Sequence, residues 1–250
     1  MKKVLITGMS GLIGGILRSH LDSLGRYELS ALNRRSLEGV NCFQADIANL
    51  DAMRLAFEGQ EVVVHLAAGP SDDPWDRVLT SYIIGTYNVF EAARLAGVKR
   101  VVFASSLSTT QGFQRVPPYD AIVAGRYAEA PRNFPKITHE MVWPRGLNGS
   151  AKVWGEAVGR HFSNAYGLSV LCVRIGIVKP DDRPLREIDY CYYLSHRDLV
   201  EIFQRSIEAS GDLSYDIFPA TSNNEWGILD LDHTRDVLGY DPRDSADVFI

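Results

Sequence analysis

The sequence predicts an α/β fold, a doubly wound parallel sheet with a small C-terminal region, and three observations carry that reading. Short apolar runs alternate with segments of helical periodicity along most of the chain. The first run, Val4-Leu5-Ile6, stops at a glycine cluster that opens directly into the helical pattern Leu12, Ile13, Ile16, Leu17 and Leu21. A second strand then ends at Leu32, about 20 residues further on, which is the spacing of a βαβ unit.

The elements follow in order. Candidate strands are Val4 to Ile6, Glu28 to Leu32, Asn41 to Gln44, Val62 to His65, Val101 to Ala104 and Val170 to Arg174. Between them Asp51 to Phe57, Trp75 to Ala96 and Ala151 to Tyr166 repeat apolar residues every three or four positions, with Gly97 and Gly167 as C-terminal stops. A further helix is expected from Asp198 to Ala209, capped by His196, Arg197 and Asp198. Phe113 to Arg145 breaks the pattern: it holds Pro117, Pro118, Pro131, Pro135 and Pro144 and shows no sustained period. A loop of this length after the fifth strand is expected to cover a site, or else to be an insertion of little order. Residues 1–250 are read as one domain: a dinucleotide-binding core over 1–176 that includes the 113–145 insertion, and a small substrate-binding region over 177–250.

Composition narrows the function. With 46% apolar residues, the 250-residue chain can bury one substantial core. A net charge of −5 without a basic block gives no reason to expect nucleic acid or an anionic membrane as partner. There is no run of ~18 apolar residues to span a bilayer, and the N-terminus enters the first strand without a signal sequence, so a cytoplasmic location is expected. Cys42, Cys172 and Cys191 are odd in number and scattered, the usage of reduced thiols rather than a disulfide or metal set.

The glycine turn carries the chemistry. Gly8, Gly11 and Gly14 allow a sharp turn, close approach to an anion, and tight packing of helix on strand. Backbone N–H groups across Gly8, Ser10, Gly11, Leu12, Ile13 and Gly14, at the positive end of the helix, would face a pyrophosphate. After the second strand stands Asn33-Arg34-Arg35 where an acidic residue would read the free ribose hydroxyls of NAD. Arginines suit the 2′-phosphate of NADP, so NADP is the expected cofactor, with NAD possible; the other reading is that the two arginines are simply a solvated turn. Asp46 and Ile47 are placed to border the adenine, and the small residues of Leu66-Ala67-Ala68 to form the wall beside the nicotinamide ribose. His65, inside an apolar strand, reads as a hydrogen-bonded interior histidine.

Taken together, Thr7-Gly8-x-x-Gly11-x-x-Gly14, His65-Leu66-Ala67-Ala68, the run Ile84-Gly85-Thr86-Tyr87-Asn88-Val89, Phe103-Ala104-Ser105-Ser106 and Val173-Arg174-Ile175-Gly176 resemble the extended short-chain dehydrogenase/reductases, the NAD-dependent epimerase/dehydratase family. Ser195-His196-Arg197-Asp198 and Leu238-Gly239-Tyr240-Asp241-Pro242 are most similar to the small uronate and sugar dehydrogenases of that family. The resemblance implies a Rossmann-like fold, cofactor contacts at Lys152 and Ile175, and a homodimer formed through the helices that start at Trp75 and Ala151. It also implies a serine, a tyrosine and a lysine four residues after the tyrosine. Ser106 and Lys152 match the serine and the lysine, with Ser105 and Ser108 as alternatives for the former.

The tyrosine is replaced by Asn148, whose amide cannot cycle a proton near neutral pH. Tyr82 stands where the family usually carries an asparagine; the two exchanges are either unrelated drift or the mark of a reorganised site in which Tyr82, or the loop residues Tyr119 or Tyr127, supplies the lost hydroxyl. About 75 residues follow the sixth strand, too few for the nucleotide-sugar region of the larger epimerases, and a smaller substrate is expected. Arg174 would contact a substrate carboxylate or pair within the fold; Arg183 and Arg186 read as surface charge, and Tyr190, Tyr192 and Tyr193 as pocket lining or packing. The expected activity is an NADP-dependent oxidoreduction of a small sugar-like or carbonyl compound. The alternative is a cofactor-binding but redox-silent lyase, isomerase or nucleotide-sensing regulator.

Overall fold

The structure, a computed structural model, describes residues 1–69 and 74–249. Seven parallel strands, β1 (Lys2–Thr7), β2 (Tyr27–Asn33), β3 (Asn41–Gln44), β4 (Val62–His65), β5 (Arg100–Ser106), β6 (Ser169–Ile175) and β7 (Tyr215–Ala220), form one sheet in the order β3-β2-β1-β4-β5-β6-β7. The helices are α1 (Leu12–Ser23), α2 (Leu50–Met53), α3 (Trp75–Arg77), α4 (Gly85–Leu95), α5 (Tyr119–Val123), α6 (Gly146–Tyr166), α7 (Glu187–Tyr192), α8 (His196–Glu208) and α9 (Asp232–Leu238).

Strand alternation sends side chains to both faces, and both are apolar because both are covered. Val4, Ile6, Val62 and Val64 pack with Leu17 and Leu21 of α1 and Leu199 and Phe203 of α8. Leu5, Val63 and Phe103 pack on the opposite face with Phe90 of α4 and Phe162 of α6. The order reverses between β1 and β4, so their carboxyl ends diverge and leave the crevice in which such sheets bind ligands.

Four features differ from the sequence expectation. The strand β7 was not anticipated, because Pro219 lies inside it; as an edge strand it bonds only β6, where a proline is tolerated. The segment expected as one helix from Trp75 to Ala96 is interrupted by a π-helical stretch, Val78–Ile84, whose buried Val78 and Tyr82 pack with Ala151 of α6. Helix α6 begins at Gly146 rather than Ala151, so Asn148 and Lys152 lie one turn apart on the same helical face. Helix α8 starts at His196, and its cap is Ser195, whose hydroxyl accepts from the Asp198 N–H.

The 113–145 segment is ordered by its own apolar cluster. Tyr119, Ile122, Phe134 and Ile137 are buried against Cys191, Tyr192, Trp226 and Ile228 from the C-terminal region. A backbone bridge from Ile137 to Leu229 ties the two together.

Candidate active site

A groove of about 820 Å³ runs along the carboxyl ends of β1, β2, β3 and β4. Most residues expected to hold the cofactor line it: Gly8, Ser10 and Gly11 from the glycine turn, Asn33, Arg34 and Arg35 after β2, Asp46 and Ile47 after β3, and Leu66, Ala67 and Ala68 after β4. The three glycines divide the work. Gly8 has φ +73°, and a Cβ there would lie 2.8 Å from the Ala67 backbone. At Gly14 a Cβ would come within 2.5 Å of Met9 Cα, so this glycine brings α1 close to the turn. Gly11 caps α1, and a Cβ there would meet only the Gly8 carbonyl, at 3.4 Å. The open side of Gly11 faces the groove, which is the room a pyrophosphate needs at a helix N-terminus.

Other expected contacts lie apart from this groove. Leu12, Ile13 and Gly14 are not among its lining residues, and Lys152 and Ile175 stand beyond it, at α6 and the end of β6. Asp46 uses one carboxylate oxygen within its own turn, accepting from Ala48 N–H at 2.9 Å. The Asn33 side-chain Oδ1 accepts from Ser10 N–H and Oγ, which ties the glycine turn to β2. Arg34 and Arg35 are exposed and make no ion pair among the described residues. Sequence reasoning missed Arg77, Thr80 and Ser81, which also line the groove. Their three- and four-residue spacing before Tyr82 marks one helical face.

At the carboxyl end of β5 the candidate catalytic residues meet. Lys152 Nζ donates to the Ala104 carbonyl at 2.6 Å and lies 5.3 Å from the centre of the Tyr82 ring. Burial pulls the Lys152 ammonium down to about 8, with partial compensation from Glu156. Asn148 Nδ2 donates to the Tyr82 hydroxyl at 3.1 Å, and its Oδ1 accepts from Ser108 Oγ at 3.2 Å. The Tyr82 hydroxyl in turn donates to the Gly69 carbonyl. Ser106 Oγ accepts from Ser108 N–H, while Ser105 Oγ is spent on Glu156. The structure therefore joins Asn148, Tyr82 and Ser108 in one hydrogen-bonded chain beside Lys152.

The remaining candidates are engaged elsewhere. Tyr119 donates to the Pro135 carbonyl and Tyr127 stacks on Trp226, and burial raises both phenols, Tyr127 to about 12. Arg174 is 1% exposed and grips both oxygens of Glu156, at 2.8 and 2.9 Å, so it pairs within the fold. Arg186 pairs with Asp189, and Tyr192 and Tyr193 are buried, with hydroxyls bonded to Gln114 and Asp182. His65 is an interior residue: its Nδ1 is hydrogen-bonded to the Thr7 hydroxyl at 2.8 Å and its Nε2 to the Thr86 hydroxyl at 3.3 Å, while Thr7 Oγ1 also accepts from Ala67 N–H. Burial, with Lys152 nearby, drops this imidazole to about 3 and keeps it neutral.

Residues 4–178 match the NAD dependent epimerase/dehydratase family. The chain is similar to an L-arabinose 1-dehydrogenase (NAD(P)(+)) of Haloferax volcanii, 32% identical over 258 residues that cover 98% of each protein. It is likewise similar to a uronate dehydrogenase of Agrobacterium fabrum, 31% identical over 100% of this chain and 87% of the relative. A crystal structure of uronate dehydrogenase from Agrobacterium tumefaciens, a mutant complexed with NAD, superposes with a TM-score of 0.83 at 30% identity, covering 100% of this chain and 87% of that one. With its glycine cradle, its Rossmann-like sheet and a match along its length, this chain belongs to the NAD dependent epimerase/dehydratase family and is an enzyme of the dehydrogenase/reductase type.

Proposed function

We propose that the enzyme is an NADP-dependent dehydrogenase of a small free sugar or similar polyol, in which Tyr82 has taken over proton transfer from the position now held by Asn148. One observation carries this reading: the Asn148 amide donates to the Tyr82 hydroxyl, so a phenol stays beside Lys152 although it comes from a different element. The family's tyrosine and asparagine positions hold each other's residue types here, and the two side chains are in contact.

NADP, when bound, supplies the hydride acceptor. Gly8, Gly11 and the first turn of α1 would hold its pyrophosphate, and Arg34 and Arg35 the 2′-phosphate. In the forward direction the substrate hydroxyl would give its proton to the Tyr82 oxygen as its carbon gives up a hydride to that acceptor. The products are a carbonyl or lactone and reduced cofactor. The Lys152 ammonium stabilises the Tyr82 phenolate that accepts this proton, and Asn148 orients the ring oxygen. Support for a free sugar comes from the relatives named as L-arabinose and uronate dehydrogenases, which match over 98% and 100% of this chain.

The test is calorimetric titration with NADP and NAD, then incubation with a panel of aldoses, uronic acids and polyols while reduced-nicotinamide absorbance is followed. Tighter binding of NADP and turnover of at least one sugar are expected. Cofactor binding with no redox change on any substrate would favour the redox-silent lyase, isomerase or sensor, for which Asn148 is the supporting observation.

A further inference from the structure

Three side chains far apart in sequence converge outside the nucleotide groove. His139 lies in the segment that follows the Ile137–Leu229 bridge, Asp216 in β7 and His233 in α9. One ligand-type atom from each falls within 4.8 Å of the other two. The imidazoles are stacked, with centroids 3.7 Å apart and planes 12° from parallel. His233 Nε2 sits 3.0 Å from both oxygens of Asp216, and Asp216 Oδ1 also accepts from Ile217 N–H, which fixes the carboxylate. The His139 ring nitrogens have no hydrogen-bond partner among the described residues. All three residues are partly exposed, so an ion has a path in and water can complete its shell.

We propose that His139, Asp216 and His233 form a binding site for a divalent transition-metal ion, of the class of Zn²⁺, Co²⁺ or Ni²⁺. Two imidazoles and one carboxylate are the donor types such ions take, whereas Ca²⁺ and Mg²⁺ require oxygen shells; imidazole lone pairs lie in the ring plane, so binding turns one of the two rings out of the stack. The ion fastens the 137–143 segment onto the edge strand and α9. That segment leads directly into α6: Trp143 N–H donates to Thr109 O and Arg145 N–H to Ser108 O, just before Asn148. Metal occupancy therefore stiffens the loop that feeds the catalytic helix. The cysteines are not involved, and the sequence reading, which weighed only them, expected no metal.

The 250-residue protein is stripped with chelator and titrated with Zn²⁺ by calorimetry and with Co²⁺ by visible absorption. One ion per chain is expected, with a Co²⁺ spectrum of nitrogen-and-oxygen ligation that lacks sulfur charge transfer, and with slower amide exchange across 137–143. Loss of outer-shell partners already weakens metal sites ~10–100-fold, so His139→Ala and His233→Ala should each cost at least ~100-fold. No 1:1 binding by the wild type, a sulfur-ligated spectrum, or binding that survives in the His139→Ala/His233→Ala double variant would overturn the site. The wild-type stoichiometry and spectrum decide the matter even where a variant does not fold.

Discussion

At the scale of the residue, the exchange between positions 82 and 148 decides the chemistry. A phenol can carry a proton and an amide cannot, so removing the Tyr82 hydroxyl should be far more damaging than its size implies. Tyr82→Phe is expected to lower kcat by ~10²–10⁴-fold, the span of general acid–base contributions, with little change in KM. Steady-state kinetics on the best substrate of the panel check this. Asn148→Tyr returns the family's residue to its usual place but removes the amide that orients Tyr82, so activity should be unchanged or lost; a large gain would show that Tyr82 is not the proton carrier. Arg34 and Arg35 make a second, independent case. Each is exposed with no ion-pair partner among the described residues, and a charge-assisted hydrogen bond contributes ~1.5–3 kcal/mol. Replacing both with alanine should weaken NADP by at least ~10-fold and leave NAD nearly unaffected.

At the scale of the element, the βα turn makes a sharp distinction between neighbouring glycines. A methyl at Gly14 would meet Met9 and Gly8 backbone atoms between 2.5 and 2.7 Å, whereas one at Gly15 meets nothing within 4 Å. Gly14→Ala should therefore destabilise by ~1–3 kcal/mol, as overpacking does, and Gly15→Ala should stabilise by up to ~1 kcal/mol through helix propensity. Urea unfolding of the two variants against the wild type measures both. This turn was legible in the sequence because its cause is local: strand, glycines and amphipathic helix are adjacent. Six of the seven strands were legible for the same reason. The π-helical stretch at Val78–Ile84 was not, since apolar spacing of three and four fits either helix and only packing selects the wider turn. Nor was β7, where Pro219 argues against a strand unless its edge position is known. In the candidate site, Ser106, Asn148 and Lys152 could be named from one stretch each. The contact of Asn148 with Tyr82 spans 66 residues, and no periodicity encodes it.

At the scale of the whole molecule, the site imposes a pH dependence on stability, because two buried bases are held with their protons less favoured than in the unfolded chain. Lys152 titrates at about 8 rather than 10.5, chiefly through burial, so between these values the unfolded state binds more protons than the folded one. Stability attributable to Lys152 must then rise with pH across that window, at up to about 1.4 kcal/mol per pH unit. His65, at about 3 rather than 6.5 and again chiefly through burial, acts in the same sense further down: its contribution falls as pH drops below 6.5 toward 3. Carboxylates whose pairing lowers them, such as Glu91 beside Arg94, add to the acid limb, and buried tyrosines reverse the slope above pH 10. The contributions separate by difference. Denaturant titrations of the cofactor-free protein from pH 7 to 10 should show a rise in the wild type that is absent in Lys152→Met, whose side chain keeps the volume but has no proton to lose. His65→Asn retains a donor and an acceptor for Thr7 and Thr86, and should flatten the wild-type loss between pH 6.5 and 5. If Lys152→Met followed the wild-type curve throughout, the lysine would be titrating as it does in water, and burial would not be drawing its proton off in the folded state.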